Sequence, residues 1–233
     1  MNKRHTLLLW DIDGTLVLYK EKFPHYLFEK MIENCFDKKV SLKEYRFSGK
    51  TDKAIIGEVL SIAGISEADH LAKEEAIMEW IADTVAEETT PNSFDRLPNV
   101  NELLSSLSAR GDTTLALLTG NLPRCAETKL KHFDLMRYFE YGVYGIESVN
   151  RNDLGPIALE RFRNHMNEDH PADLGVVVIG DAIPDVLCAK HIGAKCIITL
   201  TGRTSRDEVE PLSPEYIFED LTDTEKVLQA IYS

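Results

Sequence analysis

Four short apolar runs, at residues 6–9, 115–118, 176–179 and 196–200, carry no charged residue and do not alternate with polar ones. Runs of that length without alternation are strands buried on both faces, which only a sheet covered on two sides provides. Weaker strand patterns stand at 142–144 and 216–218. Between them lie helical patterns: Leu103, Leu104 and Leu107 closed by Gly111; Ala126, Leu130 and Phe133; Ala158 and Phe162; Val186, Leu187 and Ile192 closed by Gly193. Strands alternating with helices predict an α/β fold with a parallel sheet, whose ligands collect at the carboxyl ends of the strands near a topological switch point.

The first run and the next are about a hundred residues apart, too far for one crossover, and the gap reads as helix. Three apolar stripes cross it: Tyr26, Leu27, Met31 and Ile32; Ile55, Ile56, Val59 and Leu60; Leu71, Met78, Ile81 and Val85. A helical insert over 17–97 follows, with 89–93 as the linker returning to the main domain. At ~150 residues per domain, 233 residues suit a main domain of 1–16 and 98–233 carrying this smaller insert. The acidic stretch 74–88 reads as the solvated face of a helix.

Net charge is −13, and no lysine or arginine cluster is long enough to track a phosphate backbone, which argues against nucleic acid as a partner. No apolar run approaches membrane-spanning length, and the run 7–10 is far shorter than a signal-peptide core. Cys35, Cys125, Cys188 and Cys196 lack CxxC spacing and sit among apolar residues, as core thiols of a cytoplasmic protein do. The seven histidines, His5, His25, His70, His132, His165, His170 and His191, show no zinc spacing and read as surface or packing residues.

Chemistry concentrates where apolar runs meet acids. Leu7-Leu8-Leu9-Trp10 runs into Asp11-Ile12-Asp13-Gly14-Thr15; Asp11 and Asp13 start on one side of the strand, and Gly14 lets the chain turn away. Val176-Val177-Val178-Ile179 runs into Gly180-Asp181, with Pro184 and Asp185 opening a helix, where the acids serve equally as helix cap or as ligands. Two acidic strand ends in one sheet point to a divalent metal. Few hard oxygen ligands sharing space with water and phosphate describe Mg²⁺ better than Ca²⁺. At Leu118-Thr119-Gly120-Asn121 a strand delivers a hydroxyl and turns, which suits an anion and is also a common turn.

Taken in order, Asp11-x-Asp13-Gly14-Thr15, Thr119 and Gly180-Asp181-x-x-x-Asp185, with a helical insert behind the first motif, resemble the haloacid dehalogenase superfamily over essentially the whole chain, in its phosphoglycolate-phosphatase-like branch. The resemblance implies a Rossmann-like doubly wound core under a mobile helical cap, and a Mg²⁺-dependent phosphatase acting on a small phosphorylated metabolite. It implies Asp11 as the nucleophile that becomes an aspartyl phosphate and Asp13 as general acid and base. Asp11, the main-chain carbonyl of Asp13 and Asp181 would hold the metal, supported by Asp185. Thr119, with Gly120 and Asn121, would receive the phosphate.

One position departs from the family pattern: a lysine is expected before the helix preceding the last motif, and none occurs between Lys131 and Lys190. Arg151 is the substitute, keeping the charge and able to grip phosphate with two prongs; Arg161 and Arg163 read as solvated. The segment 47–52 resembles the family's substrate-facing cap loop, which makes Lys50 a substrate contact and Thr51 or Asp52 a helix N-cap. Its Ser48-Gly49-Lys50-Thr51 is no P-loop, because Glu44 occupies the required glycine position and no strand leads in. Tyr19 and His25, just beyond the catalytic loop, stand as candidate substrate contacts, with cap packing the simpler reading of Tyr19. The acid at Asp13 favours phosphoryl chemistry over dehalogenation, leaving a phosphomutase, or a non-catalytic binder of phosphorylated metabolites, as the alternatives.

Overall fold

All six apolar patterns form strands of one parallel sheet in the computed structural model, which describes residues 4–20, 22–166 and 171–233. In chain order the elements are β1 (His5–Trp10), β2 (Val17–Tyr19), α1 (Phe23–Phe36), α2 (Asp52–Ile62), α3 (Glu67–Glu88), β3 (Phe94–Arg96), α4 (Val100–Ser108), β4 (Thr113–Leu118), α5 (Pro123–Lys131), β5 (Tyr141–Val143), α6 (Leu154–Met166), β6 (Leu174–Gly180), α7 (Ile183–His191), β7 (Lys195–Thr199), α8 (Arg206–Val209), β8 (Tyr216–Phe218) and α9 (Thr224–Tyr232). The sheet order is β5-β4-β1-β6-β7-β8. After β5 the chain crosses back past β1 to start β6, so the doubly wound order reverses between β1 and β6. Those two strands carry the acidic motifs at their carboxyl ends.

Strict alternation along each strand divides the core in two. Leu8, Trp10, Leu115, Leu117, Val177, Ile179 and Ile197 pack on one face with α4, α5 and α9. Leu7, Leu9, Ala116, Leu118, Val178 and Ile198 pack on the other with α6 and α7. This is why the runs are apolar throughout: both faces of the sheet are roofed, so neither parity of residue meets water.

The helices α1–α3 have their own apolar cluster, in which Leu27, Met31, Ile56, Val59, Ile81 and Val85 meet Leu122 and Cys125 at the start of α5. The stripes overreach at their ends: Tyr26, Leu71 and, on α7, Leu187 are exposed, because an amphipathic face narrows where a helix leaves its neighbour. Two chain crossings join this group to the sheet. They pair as the antiparallel ribbon β2–β3, with Leu18 opposite Asp95 and Tyr19 opposite Phe94. The predicted linker 89–93 contains a turn of 3-10 helix at Pro91–Ser93 leading into β3.

Cys125, Cys188 and Cys196 are buried, Cys35 is half-buried, and all four thiols are free. Among the described residues no helix is long and apolar enough to cross a membrane. His170 lies outside the described residues. Arg161, expected in solvent, instead donates to the Gly142 carbonyl at 2.5 Å and pairs with Glu147, fastening the segment after β5. Arg163 is exposed as expected.

Candidate active site

The first motif stays in the sheet one residue beyond β1: the Asp11 N–H donates to the Ile179 carbonyl at 2.9 Å. The chain then coils tightly, with the Leu16 and Val17 N–H groups donating to the Ile12 carbonyl and that of Gly14 to the Val17 carbonyl. Gly14 has φ +85°, and a Cβ there would lie 2.5 Å from the Asp181 carboxyl carbon. Only glycine supplies that backbone while leaving room for the second acidic motif.

Oxygen atoms of Asp11, Asp181 and Asp185 lie within 4.8 Å of one another, and all three residues are buried. Asp185 is committed on both oxygens. One accepts from the main-chain N–H groups of Asp181 (3.2 Å) and Ala182 (3.0 Å), capping α7, and the other accepts from Arg151 at 2.5 Å. The same carboxylate thus both caps α7 and accepts from Arg151. By contrast, among the described residues none donates a hydrogen bond to the Asp181 carboxylate.

Arg151 is 6% exposed, and its guanidinium also lies 3.2 Å from an Asp11 oxygen while donating to the Leu118 and Gly49 carbonyls. The substitute for the missing lysine therefore reaches the acidic cluster, although it leaves a turn of 3-10 helix just ahead of α6, far along the chain from either motif. Three buried carboxylates face this one guanidinium. Burial pushes the Asp11 carboxyl up to about 6, with Arg151 opposing the rise and Asp185 and Asp13 adding to it. Burial, together with Asp185 and Asp11, raises Asp181 well above the usual carboxylate range. Protonation or a bound cation would relieve this excess, and an all-oxygen donor set with one carboxylate free of hydrogen bonds fits a hard divalent ion such as Mg²⁺.

A second network adjoins the first. The Asn121 amide donates to Thr119 Oγ1 at 2.7 Å and to an Asp13 oxygen at 2.8 Å. The Lys129 ammonium donates to both Asp13 oxygens, at 2.8 and 2.7 Å, and to Asn121 Oδ1 at 2.5 Å, and stands 4.7 Å over the Tyr19 ring. Sequence reasoning missed Lys129. Its signal was a lysine inside an apolar helix face, between Cys125, Ala126 and Leu130, where a solvated side chain does not belong. Tyr19 packs on Phe23 and Phe94 as expected, but it also lines the cavity above the acids.

From the helical side, the segment 47–52 closes over these groups. A Cβ on Gly120 would stand 2.0 Å from the Lys50 carbonyl oxygen, so the two backbones touch only because position 120 lacks one. The Lys50 ammonium is at the cavity rim but bound to Glu58 (2.5 Å) and Tyr45 (3.2 Å). Thr51, not Asp52, caps α2, accepting from the Ala54 N–H at 3.1 Å. Asp52 is released for another contact and accepts from the Leu122 N–H at 2.7 Å, across to the start of α5.

Burial raises the Asp52 carboxyl to about 6, against the pull of Lys129 and the Leu122 N–H. A raised folded-state value means that the charge destabilises the fold, at no cost below about pH 4 and in full above about pH 6. Asp52→Asn is therefore expected to gain about 1 kcal/mol at pH 8, discounted for partial solvent screening, and less at pH 5. Urea denaturation at the two pH values tests this; an equal or smaller gain at pH 8 contradicts it.

Comparison with known proteins agrees with this geometry. The model of the haloacid dehalogenase-like hydrolases matches residues 5–193. Phosphoglycolate phosphatase 1 of Pseudomonas aeruginosa is 26% identical over 226 residues, covering 93% of this chain and 77% of that protein. A candidate phosphoglycolate phosphatase from Haemophilus somnus superposes with a TM-score of 0.69 at 18% identity, over 97% of this chain and 99% of that one. A candidate β-phosphoglucomutase from Thermotoga maritima gives 0.60 at 18% identity, over 97% and 99%. At such identities these two structures speak to the fold alone. The family match spans both acidic motifs, Thr119 and Arg151, and by it this chain belongs to the haloacid dehalogenase-like hydrolases.

Proposed function

We propose that this chain is a cytoplasmic, Mg²⁺-dependent phosphatase that hydrolyses a small phosphorylated metabolite through an aspartyl phosphate on Asp11. The observation that carries the reading is the convergence of Asp11, Asp181 and Asp185 on Arg151 at the switch point between β1 and β6. The phosphatase relative supports it, and four free thiols suit a reducing compartment. We take 17–97 as a cap over a core formed by 1–16 and 98–233.

In this reading Asp11 attacks phosphorus, while Arg151, fixed by Asp185, holds a phosphoryl oxygen and offsets its charge. Thr119, Gly120 and Asn121 orient the same group by hydrogen bonds. Asp11, the Asp13 carbonyl and Asp181 would hold Mg²⁺, which when bound would supply the positive charge that lets an anionic nucleophile approach an anionic ester. Asp13 gives a proton to the departing oxygen and later takes one from water. For that it must leave Lys129, since a carboxylate whose two oxygens accept from an ammonium carries no transferable proton. Lys50 would contact the leaving group only after parting from Glu58.

Phosphate release from a panel of phosphomonoesters, with and without Mg²⁺, tests the proposal. Free phosphate means hydrolysis, an isomeric ester means a phosphomutase, and binding without turnover means a non-catalytic binder. Asp181→Ala is expected to raise the Mg²⁺ concentration for half-maximal activity at least tenfold. Unchanged metal dependence would remove Asp181 from the metal site.

A further inference from the structure

We propose that the alcohol released at this site carries an apolar body of several carbons, so that the substrate is an alkyl or aryl phosphomonoester rather than the ester of a short hydroxy acid. The inference rests on the phosphatase reading and specifies its substrate class. Above the acids lies a cavity of about 620 Å³, within the ~300–1,000 Å³ of sites that enclose drug-sized molecules. Its floor is charged: Asp11, Asp13, Asp181, Lys129 and Arg151. Its upper walls carry charge at Arg46, Lys50, Asp52, Arg203 and Glu208, and between these a continuous share is hydrocarbon. Leu18, Tyr19, Leu27, Phe28, Phe47 and Ile55 converge there from β2, α1, α2 and the loop before α2.

Water against such walls lacks the two to four polar partners that an ordered water needs, so hydrocarbon displaces it favourably. The cations around the cavity are nearly all engaged: Lys50 with Glu58, Arg46 with Glu208, Lys129 with Asp13, and Arg151 with Asp11 and Asp185. Arg203, exposed at the rim, is the one lining cation with no ion pair among the described residues. A second anionic group on the substrate would therefore find its free partner at the mouth, whereas the interior rewards hydrocarbon. Overall, the ester R–O–PO₃²⁻ and water give R–OH and phosphate; the P–O bond to R breaks, and the alcohol leaves with the proton from Asp13.

Binding of methyl-, butyl- and octylphosphonate to the full-length protein in Mg²⁺ buffer, by calorimetry, tests the proposal, with 3-phosphonopropionate as the short-acid comparator. Affinity is expected to rise about three- to fourfold per methylene until the cavity fills, with an increasingly negative heat-capacity change. Butylphosphonate should bind tighter than 3-phosphonopropionate. Affinities independent of chain length, or 3-phosphonopropionate binding tightest, overturn the proposal.

In Leu18→Trp, which narrows the cavity, the octyl-to-methyl affinity ratio is expected to fall at least tenfold. A ratio that persists in the folded variant places the chain elsewhere and also overturns the proposal. If Leu18→Trp does not fold, the native series decides alone. The two readings fail distinguishably: phosphate release from p-nitrophenyl phosphate with chain-length-independent binding removes the apolar class alone. If the protein neither binds the phosphonates nor releases phosphate from any monoester, the phosphatase reading falls with it.

Discussion

Asp11→Asn is expected to lower phosphate release from any accepted monoester by roughly 10⁴-fold or more while leaving the fold intact. The amide has the shape of the carboxyl but no anionic oxygen to attack phosphorus, and no covalent intermediate can form. Stability should not suffer. Burial already pushes Asp11 up to about 6, with Asp185 and Asp13 adding to the rise against Arg151, so removing its charge relieves a crowded anionic cluster. Phosphate release and thermal denaturation followed by circular dichroism check the two halves. Activity within tenfold of the native enzyme would refute Asp11 as nucleophile.

Arg151→Ala should damage both activity and stability. The side chain is 6% exposed and is the sole cation pairing with Asp11 and Asp185 among the described residues. Removing one partner from a buried charge set costs about 3–5 kcal/mol, with little solvent to soften it. The lost phosphate contact should lower kcat/KM by at least about 10³-fold. Arg151→Lys should restore part of both, because charge returns to the place where Nη2 meets Asp185, Asp11 and the Leu118 carbonyl, but the second nitrogen, Nη1, which donates to the Gly49 carbonyl, is lost. Urea denaturation and steady-state kinetics separate the effects. If Arg151→Ala leaves KM and kcat unchanged, another residue anchors the phosphate.

Much of the site was legible because its parts are local. Asp11 and Asp181 each follow an apolar strand within one or two residues, so the pattern that identifies the strand also places the acid at its end. Arg151 was reached by elimination, as the cation nearest to where a lysine was missing. Arg161 was misread, and the cap of α2 stood open between Thr51 and Asp52, for one reason. Asp52 and Arg161 have solvent-seeking side chains, and what they meet, the Leu122 N–H and Glu147, is brought to them by other elements.

Lys129 shows the limit most sharply. It sits two turns along α5, and nothing within four residues tells that Asp13, 116 positions earlier, ends beneath it. The sequence by itself determined the doubly wound sheet, the helical insert and the strand ends that bear the acids, because burial repeats with the local period of strand and helix. The tertiary structure alone decided that Arg151 spans Asp11 and Asp185, that Lys129 holds Asp13, and that Leu18, Tyr19, Leu27, Phe28, Phe47 and Ile55 gather on the walls of the cavity above them. Those facts depend on which surfaces meet across the switch point and beneath α1–α3, and no local periodicity encodes that meeting.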